Sequence, residues 1–306
     1  MSRLAIFIKS YKPDVALLSR LLTSIEKHNV EEIPVVVSVP EEDISLFKRS
    51  AHQSNVTFVL DSIFGIPVVS NKIHNFSIGY VQQQMVKLSV HRLDIADAYA
   101  VIDSDSFFIR DFFYRDFMDE TDRGFTVLVE DKDQFAAPWY SSFAEGRQSK
   151  INIVADYFSL PAQPRATCHN NTIFSADVLT DFDSWREDKG LTLVNAMEIA
   201  PIEFSWYNFF MQKFHSDKIV RIEPFMRMVH TRGEYRSLIQ QGISISDLRR
   251  SYLGVCINSG WAGRDQKRLV KKMDTRTLAA RWNLKLDEMK YVFDQKVDRY
   301  RFGKND

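Results

Sequence analysis

Short apolar runs alternate with amphipathic segments along the N-terminal third of the chain. The runs from Leu4 to Lys9, Ile33 to Val39 and Val56 to Leu60 are rich in Val, Ile and Phe, which predicts buried strands. From about Asp14 to His28 the apolar residues recur every three or four positions, which predicts a helix. Strands separated by helices predict an α/β fold with a mainly parallel sheet and helices on both faces.

A fourth apolar run, from Ala98 to Ile102, ends in the acidic pair Asp103 and Asp105. The spacing before it predicts a long helix from about Ile78 to Asp97. Ligands of open α/β sheets bind at the carboxyl ends of the strands. The pair is therefore suited to hold a hard cation, Mg²⁺ or Mn²⁺, and through it a phosphate. Asp and Ser are also ordinary turn formers, so a solvated turn is the alternative interpretation.

The pattern is less regular beyond Phe112. It predicts strands at Phe125 to Glu130, Ile219 to Ile222 and Phe225 to His230, a loop at Ala136 to Gly146, and helices at Ile151 to Leu160 and Glu203 to Phe214.

The final section, 264–306, is charge-rich and helical in character. Between Arg264 and Arg281 the basic residues Lys267, Arg268, Lys271, Lys272 and Arg276 outnumber Asp265 and Asp274. A solvated helix face explains such a pattern. The alternative is docking on a partner or peripheral contact with the inner face of the cytoplasmic membrane.

Composition narrows the class of protein. The chain has 306 residues and is 45% hydrophobic, enough for a sizeable core. Its 40 basic and 40 acidic residues cancel, so no overall field favours nucleic acid. Cys168 and Cys256 are far apart and lack zinc-ligand spacing, which argues against a disulfide scaffold and a structural zinc. The apolar run at the N-terminus is too short for a signal peptide, so we expect a cytoplasmic protein.

Polar residues on the helix before the acidic pair form a stripe. Tyr80, Gln83, Gln84, Lys87 and His91 recur at separations of three and four residues, which places them along one stripe. Lys87 is therefore a candidate to bind a diphosphate or a sugar hydroxyl. A stripe of this kind also occurs on the solvent side of ordinary helices.

A second group of candidates lies at the ends of the first and third strands. Lys9, Ser10 and Tyr11 follow the first strand, where a nucleotide base would stack on the tyrosine. Asp61, at the end of the third strand, is a candidate for a base or ribose contact. A plain strand-to-helix turn is the alternative at both positions.

Two later residues complete the set. A neutral His230 imidazole is able to complete the coordination of a Mn²⁺-like ion that carboxylates already hold, although a lone histidine is more often structural. Glu203, at the start of an aromatic helix, is a candidate general base for an attacking hydroxyl. Its position also suits a carboxylate that simply complements the helix dipole.

Three common motifs are missing: the sequence has no G-x-x-x-x-G-K-[ST], no G-x-G-x-x-G and no G-x-S-x-G. P-loop hydrolysis, dinucleotide redox chemistry and serine-esterase chemistry therefore lose their main support.

Together these pieces resemble the metal-dependent GT-A glycosyltransferases with a D-x-D motif, and more closely a group of mostly uncharacterised bacterial GT-A-like proteins. The resembling segments are Ser10 to Asp14, Tyr80-x-x-Gln83-Gln84-x-x-Lys87-Leu88, Ile102 to Asp105 and Glu203-x-x-x-Tyr207. The resemblance covers about Arg3 to His230. It implies a GT-A-like domain over 1–263, with a nucleotide-sugar half at 1–120 and an acceptor half at 121–263, followed by the extension at 264–306.

The resemblance also implies a function. It implies a nucleotide-sugar donor and a glycan or lipid-linked acceptor, in bacterial surface polysaccharide or lipopolysaccharide synthesis. Asp103 and Asp105 would lie near Mn²⁺ or Mg²⁺ and the diphosphate, with His230 as a further ligand. Gln84 and Lys87 would contact the donor, and Glu203 falls where inverting relatives carry a base or an acceptor-binding carboxylate.

Three alternatives remain open. A phosphatase of the haloacid-dehalogenase type also carries D-x-D after a strand, but near its N-terminus. A nucleotidyltransferase usually needs a Gly-rich first loop, and Ser10 to Asp14 contains no glycine. A non-catalytic glycosyltransferase-like scaffold or carbohydrate-binding module is the third.

Overall fold

The computed structural model describes residues 2–50, 55–128, 140–161, 171–262 and 266–274. The chain divides into two units. The first comprises Met1–Met228 and Tyr252–Cys256, and the second comprises Val229–Ser251 and Ile257–Asp306, each within the described ranges.

The strands of the described residues are β1 (Ser2–Lys9), β2 (Val35–Val39), β3 (Val56–Leu60), β4 (Ala96–Val101), β5 (Ser106–Phe108), β6 (Thr172–Ser175), β7 (Met226–Val229) and β8 (Gly254–Ile257).

The α-helices of the same residues are α1 (Val15–His28), α2 (Ile44–Ser50), α3 (Ile78–Leu88), α4 (Tyr140–Tyr157), α5 (Ala176–Asp188), α6 (Leu193–Ile199), α7 (Glu203–Phe214), α8 (Arg232–Gln240), α9 (Ile245–Leu248), α10 (Ser259–Ala262) and α11 (Gln266–Asp274).

Five strands form the main sheet in the order β3-β2-β1-β4-β6. β1 pairs in parallel with β2 and β4, β2 pairs in parallel with β3, and β6 joins β4 antiparallel. The carboxyl ends of β1 to β4 therefore meet at one edge. The predicted mainly parallel α/β sheet is confirmed.

The sheet is covered on both faces. On one face Leu18 and Leu22 of α1 join Ile6 in a buried cluster, and on the other face Met85 of α3 joins Phe7. This explains why β1 and β2 are continuous apolar runs, because a strand buried on both faces has no solvent side for polar residues.

The helix before the acidic pair is shorter than predicted. α3 ends at Leu88, and a separate 3-10 turn covers Val90–Leu93 before β4 begins at Ala96. Beyond the break, the Arg92 side chain donates to the Phe64 carbonyl at 2.6 Å. Asp94 then turns the chain with a left-handed φ of 52°.

The predictions between residues 125 and 160 also need correction. In place of a strand at Phe125 to Glu130, the described part forms one isolated bridge between Thr126 and Arg221, and residues 129–130 lie outside the described residues. The predicted Ala136 to Gly146 loop overlaps α4, which begins at Tyr140, while 136–139 are not described. Ile219 to Ile222 contributes only that bridge.

A second, smaller sheet has the order β5-β8-β7, and the sequence pattern did not predict β5 or β8. Gly254 of β8 allows close strand approach there. A Cβ at this position would lie 2.6 Å from the Phe107 backbone oxygen and even closer to the Met226 sulfur. β8 carries Cys256, which lies in the candidate site.

The second unit contains the described part of the basic extension. In α11, Leu269 and Met273 are buried, and the Tyr235 hydroxyl donates to the Leu269 carbonyl at 3.0 Å. The apolar face of this helix is therefore covered within its own unit, while Arg268 and Lys271 are exposed. Of the helices described here, none is long and apolar enough to cross a membrane.

Candidate active site

A buried lysine joins two predicted site carboxylates. Lys87 on α3 donates to Asp103 Oδ1 at 2.5 Å and to Glu203 Oε1 at 2.9 Å. With its amide nitrogen turned toward Glu203, Gln84 donates to Oε1 at 3.1 Å. We call Gln84, Lys87, Asp103 and Glu203 the Lys87 cluster. The structure thus brings together four of the predicted site residues from α3, β4 and α7.

The protonation of this cluster follows from burial and pairing. Burial alone would lower the pKa of Lys87, but Asp103 and Glu203 outweigh it, so the pKa is raised and the ammonium form persists. Burial raises the pKa of Glu203 against the attraction of Lys87. Glu203 is 1% exposed, and its carboxylate accepts hydrogen bonds from Lys87 and Gln84.

Three aspartates converge at the carboxyl end of β4. Asp14, just before α1, accepts a hydrogen bond from the Ser104 hydroxyl at 3.0 Å. Its pKa is raised to about 6 by burial first, and then by the neighbouring charges of Asp105 and Asp103, against the Ser104 bond. The local field is therefore negative, which favours a cation at this edge.

Neighbouring side chains fix the acidic turn. The Cys256 thiol on β8 donates to Asp105 Oδ1 at 3.0 Å. Asn171, beside β6, accepts from the Asp103 backbone N–H at 3.0 Å and from the Ser106 hydroxyl at 3.2 Å. Strands from both sheets thus hold the turn that carries the two aspartates.

Lys9 and Asp61 pair with each other across the sheet edge. Lys9 Nζ lies 2.9 Å from Asp61 Oδ2, and the Ser38 hydroxyl donates to Asp61 Oδ1 at 2.5 Å. Burial lowers the pKa of Lys9 in spite of Asp61. The pair links β1, β2 and the end of β3, so both residues already have partners within the protein.

Ser10 and Tyr11 are differently placed. The Ser10 hydroxyl is buried and has no hydrogen-bond partner among the described residues. An orphaned buried hydroxyl is the kind of group that a polar ligand satisfies. Tyr11 is 44% exposed, and burial, Asp14 and Asp105 raise the pKa of its phenol.

His230 belongs to the second unit. It is buried, and its backbone N–H donates to Glu234 Oε2 at 2.7 Å. Metal ligation by His230 stays a prediction. Across the described ranges, no group of three or more His, Cys, Asp or Glu side chains is arranged to hold a metal ion.

Sequence reasoning missed several residues at this site: Asp14, Asn171, Cys256 and Arg20. The last donates to the Asp105 carbonyl at 3.1 Å, with its guanidinium carbon 4.6 Å from the centre of the Phe107 ring. Burial lowers the pKa of Arg20 to about 10. The sequence contained a signal for Asp14, which ends the segment Ser10 to Asp14 that resembles GT-A glycosyltransferases. It also contained one for Asn171, which closes the polar run Cys168-His169-Asn170-Asn171. Nothing local pointed to Arg20 or Cys256.

Residues 4–156 match the model of one protein family, described as a family of unknown function (DUF6492). The chain belongs to this family. The matched segment includes β1 to β5, the Lys87 side of the cluster and the acidic turn, whereas Glu203 and Cys256 lie beyond it. No curated protein matches this DUF6492 member at a significant level of sequence similarity.

Solved structures show the fold of this DUF6492 protein. It is similar to the galactosyltransferase LgtC in complex with donor and acceptor sugar analogs, with a TM-score of 0.50 and 13% identity over 90% of this chain and 99% of that one. An active-site mutant of LgtC gives a TM-score of 0.50 and 12% identity, with the same coverage. The fold is the GT-A glycosyltransferase fold.

Proposed function

We propose that the protein is a metal-dependent glycosyltransferase that moves a sugar from a nucleotide-sugar donor to a glycan or lipid-linked acceptor. Its GT-A fold, shared with a galactosyltransferase, supports this class of enzyme. The resemblance described above adds bacterial surface polysaccharide or lipopolysaccharide synthesis as the setting. The residues at the strand edge carry the chemical part of the proposal.

The observation that carries it is the excess of carboxylates around one buried lysine. Lys87 bonds Asp103 and Glu203, while Asp14 and Asp105 add negative charge beside them. Carboxylates that gather at the ligand-binding edge of a sheet favour a cation and the phosphates that it accompanies.

Asp103 and Asp105 are suited to hold Mg²⁺ or Mn²⁺ together with a diphosphate. Mg²⁺ is commonly bound by one or two carboxylates plus substrate phosphates, so a third protein ligand is not required. The Ser10 hydroxyl lies directly after β1, is buried and has no hydrogen-bond partner among the described residues. A polar ligand would provide that partner. When bound, such an ion stabilises the charge that develops on the leaving nucleoside diphosphate.

The donor nucleotide is proposed to lie along the edge formed by Lys9, Ser10, Tyr11 and Asp61. The exposed face of Tyr11 offers a stacking surface for the base. Asp61 already accepts from Ser38 and pairs with Lys9. We therefore expect Asp61 to orient Lys9 as well as to contact the ribose or base.

Two roles are proposed for Glu203. Its contacts favour a positioning role, because it holds the Lys87 ammonium that also binds Asp103. A role as general base for the acceptor hydroxyl is the second, and it requires the carboxylate to exchange Lys87 for the acceptor. Glu203→Gln separates the two, because a positioning role predicts weaker donor binding, whereas a base predicts an unchanged donor affinity with lost turnover.

Calorimetric titration with nucleoside diphosphates, with and without Mn²⁺, tests the proposal. We expect at least one diphosphate to bind in a Mn²⁺-dependent way, and Asp103→Asn and Asp105→Asn to weaken that binding at least tenfold. Sugar turnover should fall by orders of magnitude in both variants while the fold survives. Asp97→Asn, an exposed residue of the same strand, is the matched control and should behave as wild type.

Other outcomes would contradict the proposal in different ways. Unchanged turnover of Asp105→Asn at saturating Mn²⁺ would refute the metal role. Hydrolysis of an aryl phosphate that depends on Asp103 would favour the phosphatase alternative. A lack of nucleotide binding under every condition would favour the non-catalytic scaffold.

A further inference from the structure

The Asp14 side chain bonds a distant residue and not its own helix. Asp14 ends a 3-10 turn over Lys12–Asp14 and directly precedes α1, and its carboxylate makes no capping hydrogen bond to that helix. Aspartate in this position commonly accepts from the free N–H groups of the first helical turn. Here the carboxylate accepts from the Ser104 hydroxyl at 3.0 Å, across 90 positions of the chain. Its contact is therefore with the acidic turn.

Ser104 is the central residue of that turn, between Asp103 and Asp105, and it is buried. Other groups hold the two ends, because Asn171 accepts from the Asp103 backbone N–H and the Cys256 thiol donates to Asp105. The bond from Ser104 holds the middle. A displacement of this residue would move both flanking aspartates, since they are joined to it through the backbone.

The backbone of Asp14 makes a second link, to the loop after β1. Its N–H donates to the Tyr11 carbonyl at 2.9 Å, which closes the 3-10 turn. The loop is fixed from another direction as well, because the Lys12 backbone N–H donates to Asp43 Oδ2 at 2.7 Å. Asp14 thus bonds the residue proposed to stack on the base with its backbone, and the acidic turn with its side chain.

The helix that follows Asp14 supports the same arrangement. From α1, Arg20 donates to the Asp105 carbonyl at 3.1 Å, and the Ser24 hydroxyl accepts from the Phe108 backbone N–H at 2.9 Å. Contacts from three positions therefore fix α1 along the acidic turn and β5. Asp14 makes the first of them, at the end of the helix where the loop begins.

From these contacts we propose that Asp14 is a positioning residue that couples nucleotide binding at Tyr11 to metal binding at Asp103 and Asp105. The inference rests on the proposed function, which assigns the base and the ion to these two places. Asp14 acts through the Ser104 hydroxyl, which keeps the acidic turn at a fixed distance from the loop. A single diphosphate is then able to reach the base site and the ion together.

Coupling of this kind is measurable as one factor. If Mn²⁺ tightens the binding of a nucleoside diphosphate, the diphosphate tightens the binding of Mn²⁺ by the same factor. The factor depends on the relative position of the two sites. Base stacking alone does not depend on it, so a nucleoside without phosphates provides an internal reference.

Calorimetric titration of the full-length protein tests the coupling, with Mn²⁺ and the tightest-binding member of UDP, GDP, ADP and CDP. We expect Asp14→Ala to reduce the coupling factor about tenfold and to weaken the binding of Mn²⁺ alone about fivefold. Affinity for the nucleoside of the same base should be unchanged. Glu42→Ala is the matched control, because it removes an exposed carboxylate that follows β2 at the same sheet edge, and it should match wild type.

A double-mutant cycle tests whether Asp14 acts through Ser104. Ser104→Ala removes the same hydrogen bond from its other partner, so the double variant should lose no more coupling than either single variant. It also provides the result if Asp14→Ala does not fold. Asp14→Asn keeps an acceptor oxygen and should retain more coupling than alanine does. Additive losses, or an asparagine variant as impaired as alanine, would overturn the positioning role in favour of a direct effect of the charge on the ion.

The outcomes separate this inference from the proposed function. Unchanged coupling in Asp14→Ala, beside a wild type that binds the diphosphate with Mn²⁺, would overturn the inference and leave the transferase proposal intact. If the wild type binds Mn²⁺ but no diphosphate, the transferase proposal fails, and a fivefold weaker Mn²⁺ affinity in Asp14→Ala would still support the hold on the acidic turn. A wild type that binds no Mn²⁺ would overturn both.

Discussion

The first unit contains two buried clusters of charged side chains. In one cluster two carboxylates share one cation, and in the other two guanidinium groups share one carboxylate. The Lys87 cluster shares one ammonium between Asp103 and Glu203. The second group, which we call the Asp183 cluster, surrounds one carboxylate of α5 with two arginines and a histidine. Its contacts to Asp183 oxygens are Arg92 at 2.7 Å, Arg186 at 2.7 Å and His91 at 3.2 Å.

The pKa shifts follow this difference. Burial opposes the charge of Asp183, but hydrogen bonds from His91, Arg186 and Arg92 outweigh burial, so the pKa of Asp183 is far below its usual range. In the Lys87 cluster, burial raises the pKa of Glu203. The Asp183 carboxylate, which three side chains hold in one orientation, is typical of a structural centre. A buried carboxylate whose pKa is raised, at the ligand-binding edge of a sheet, is typical of a functional site.

The largest effect is expected from Lys87→Met. Without the ammonium, Asp103 and Glu203 repel each other. Asp103 is then no longer held in a fixed orientation for the donor. We expect turnover to fall about a thousandfold, equivalent to about 4 kcal/mol of transition-state stabilisation. Steady-state kinetics with the donor identified by calorimetry measures this loss.

The stability of Lys87→Met should depend on pH in a characteristic way. Without the ammonium, burial and the repulsion between the two carboxylates favour the protonated carboxyl form, so the loss of unfolding free energy shrinks as the pH falls from 7 toward 5. Denaturant unfolding at both pH values measures the change. A loss that is the same at pH 7 and pH 5 would contradict the view that the carboxylates are short of positive charge.

Asp183→Asn should give the next largest effect, on stability alone. Arg92 and Arg186 cannot neutralise themselves by deprotonation, so removing their carboxylate costs about 3 kcal/mol at pH 7. Because the folded pKa of Asp183 is depressed, its contribution is complete above the unfolded value of about 4 and is lost only as the pH falls below it.

This pH dependence distinguishes the two clusters. The deficit of Asp183→Asn relative to wild type should stay constant from pH 7 to pH 5 and narrow only below about pH 4. Donor affinity of the folded variant should equal that of wild type. A selective loss of donor binding in Asp183→Asn would show that the Asp183 cluster is more than structural.

The local parts of this comparison could be predicted from the sequence. The apolar run before Asp103 predicted β4, the spacing of Gln84 and Lys87 predicted one helix face, and Glu203 was predicted at the start of α7 with its observed bounds. Each of these predictions depends on periodicity within a single element. The function of these residues stays a prediction.

The contacts between elements could not be predicted in the same way. Lys87 and Glu203 are 116 positions apart, and nothing in the pattern of α3 or α7 indicates that they meet. The helix that was predicted to reach Asp97 ends at Leu88, and the residues after it make tertiary contacts, such as that of Arg92 with Asp183 on another helix, which helix periodicity does not reveal. β8 was missed because it is short and its place in the sheet depends on pairing with β5, a segment that is distant in the sequence.

The smallest effect is expected at Cys256, which contacts Asp105, the second aspartate of the acidic turn. Burial raises the pKa of its thiol, so it stays protonated and donates to Asp105 Oδ1 at 3.0 Å. Cys256→Ala removes one hydrogen bond and should raise the Mn²⁺ concentration for half-maximal turnover about fivefold, or about 1 kcal/mol. Cys256→Ser keeps a donor and should restore the Mn²⁺ dependence. If alanine matches wild type while serine is impaired, the thiol acts through packing instead, and Asp105 is oriented by Arg20 and the backbone of its turn.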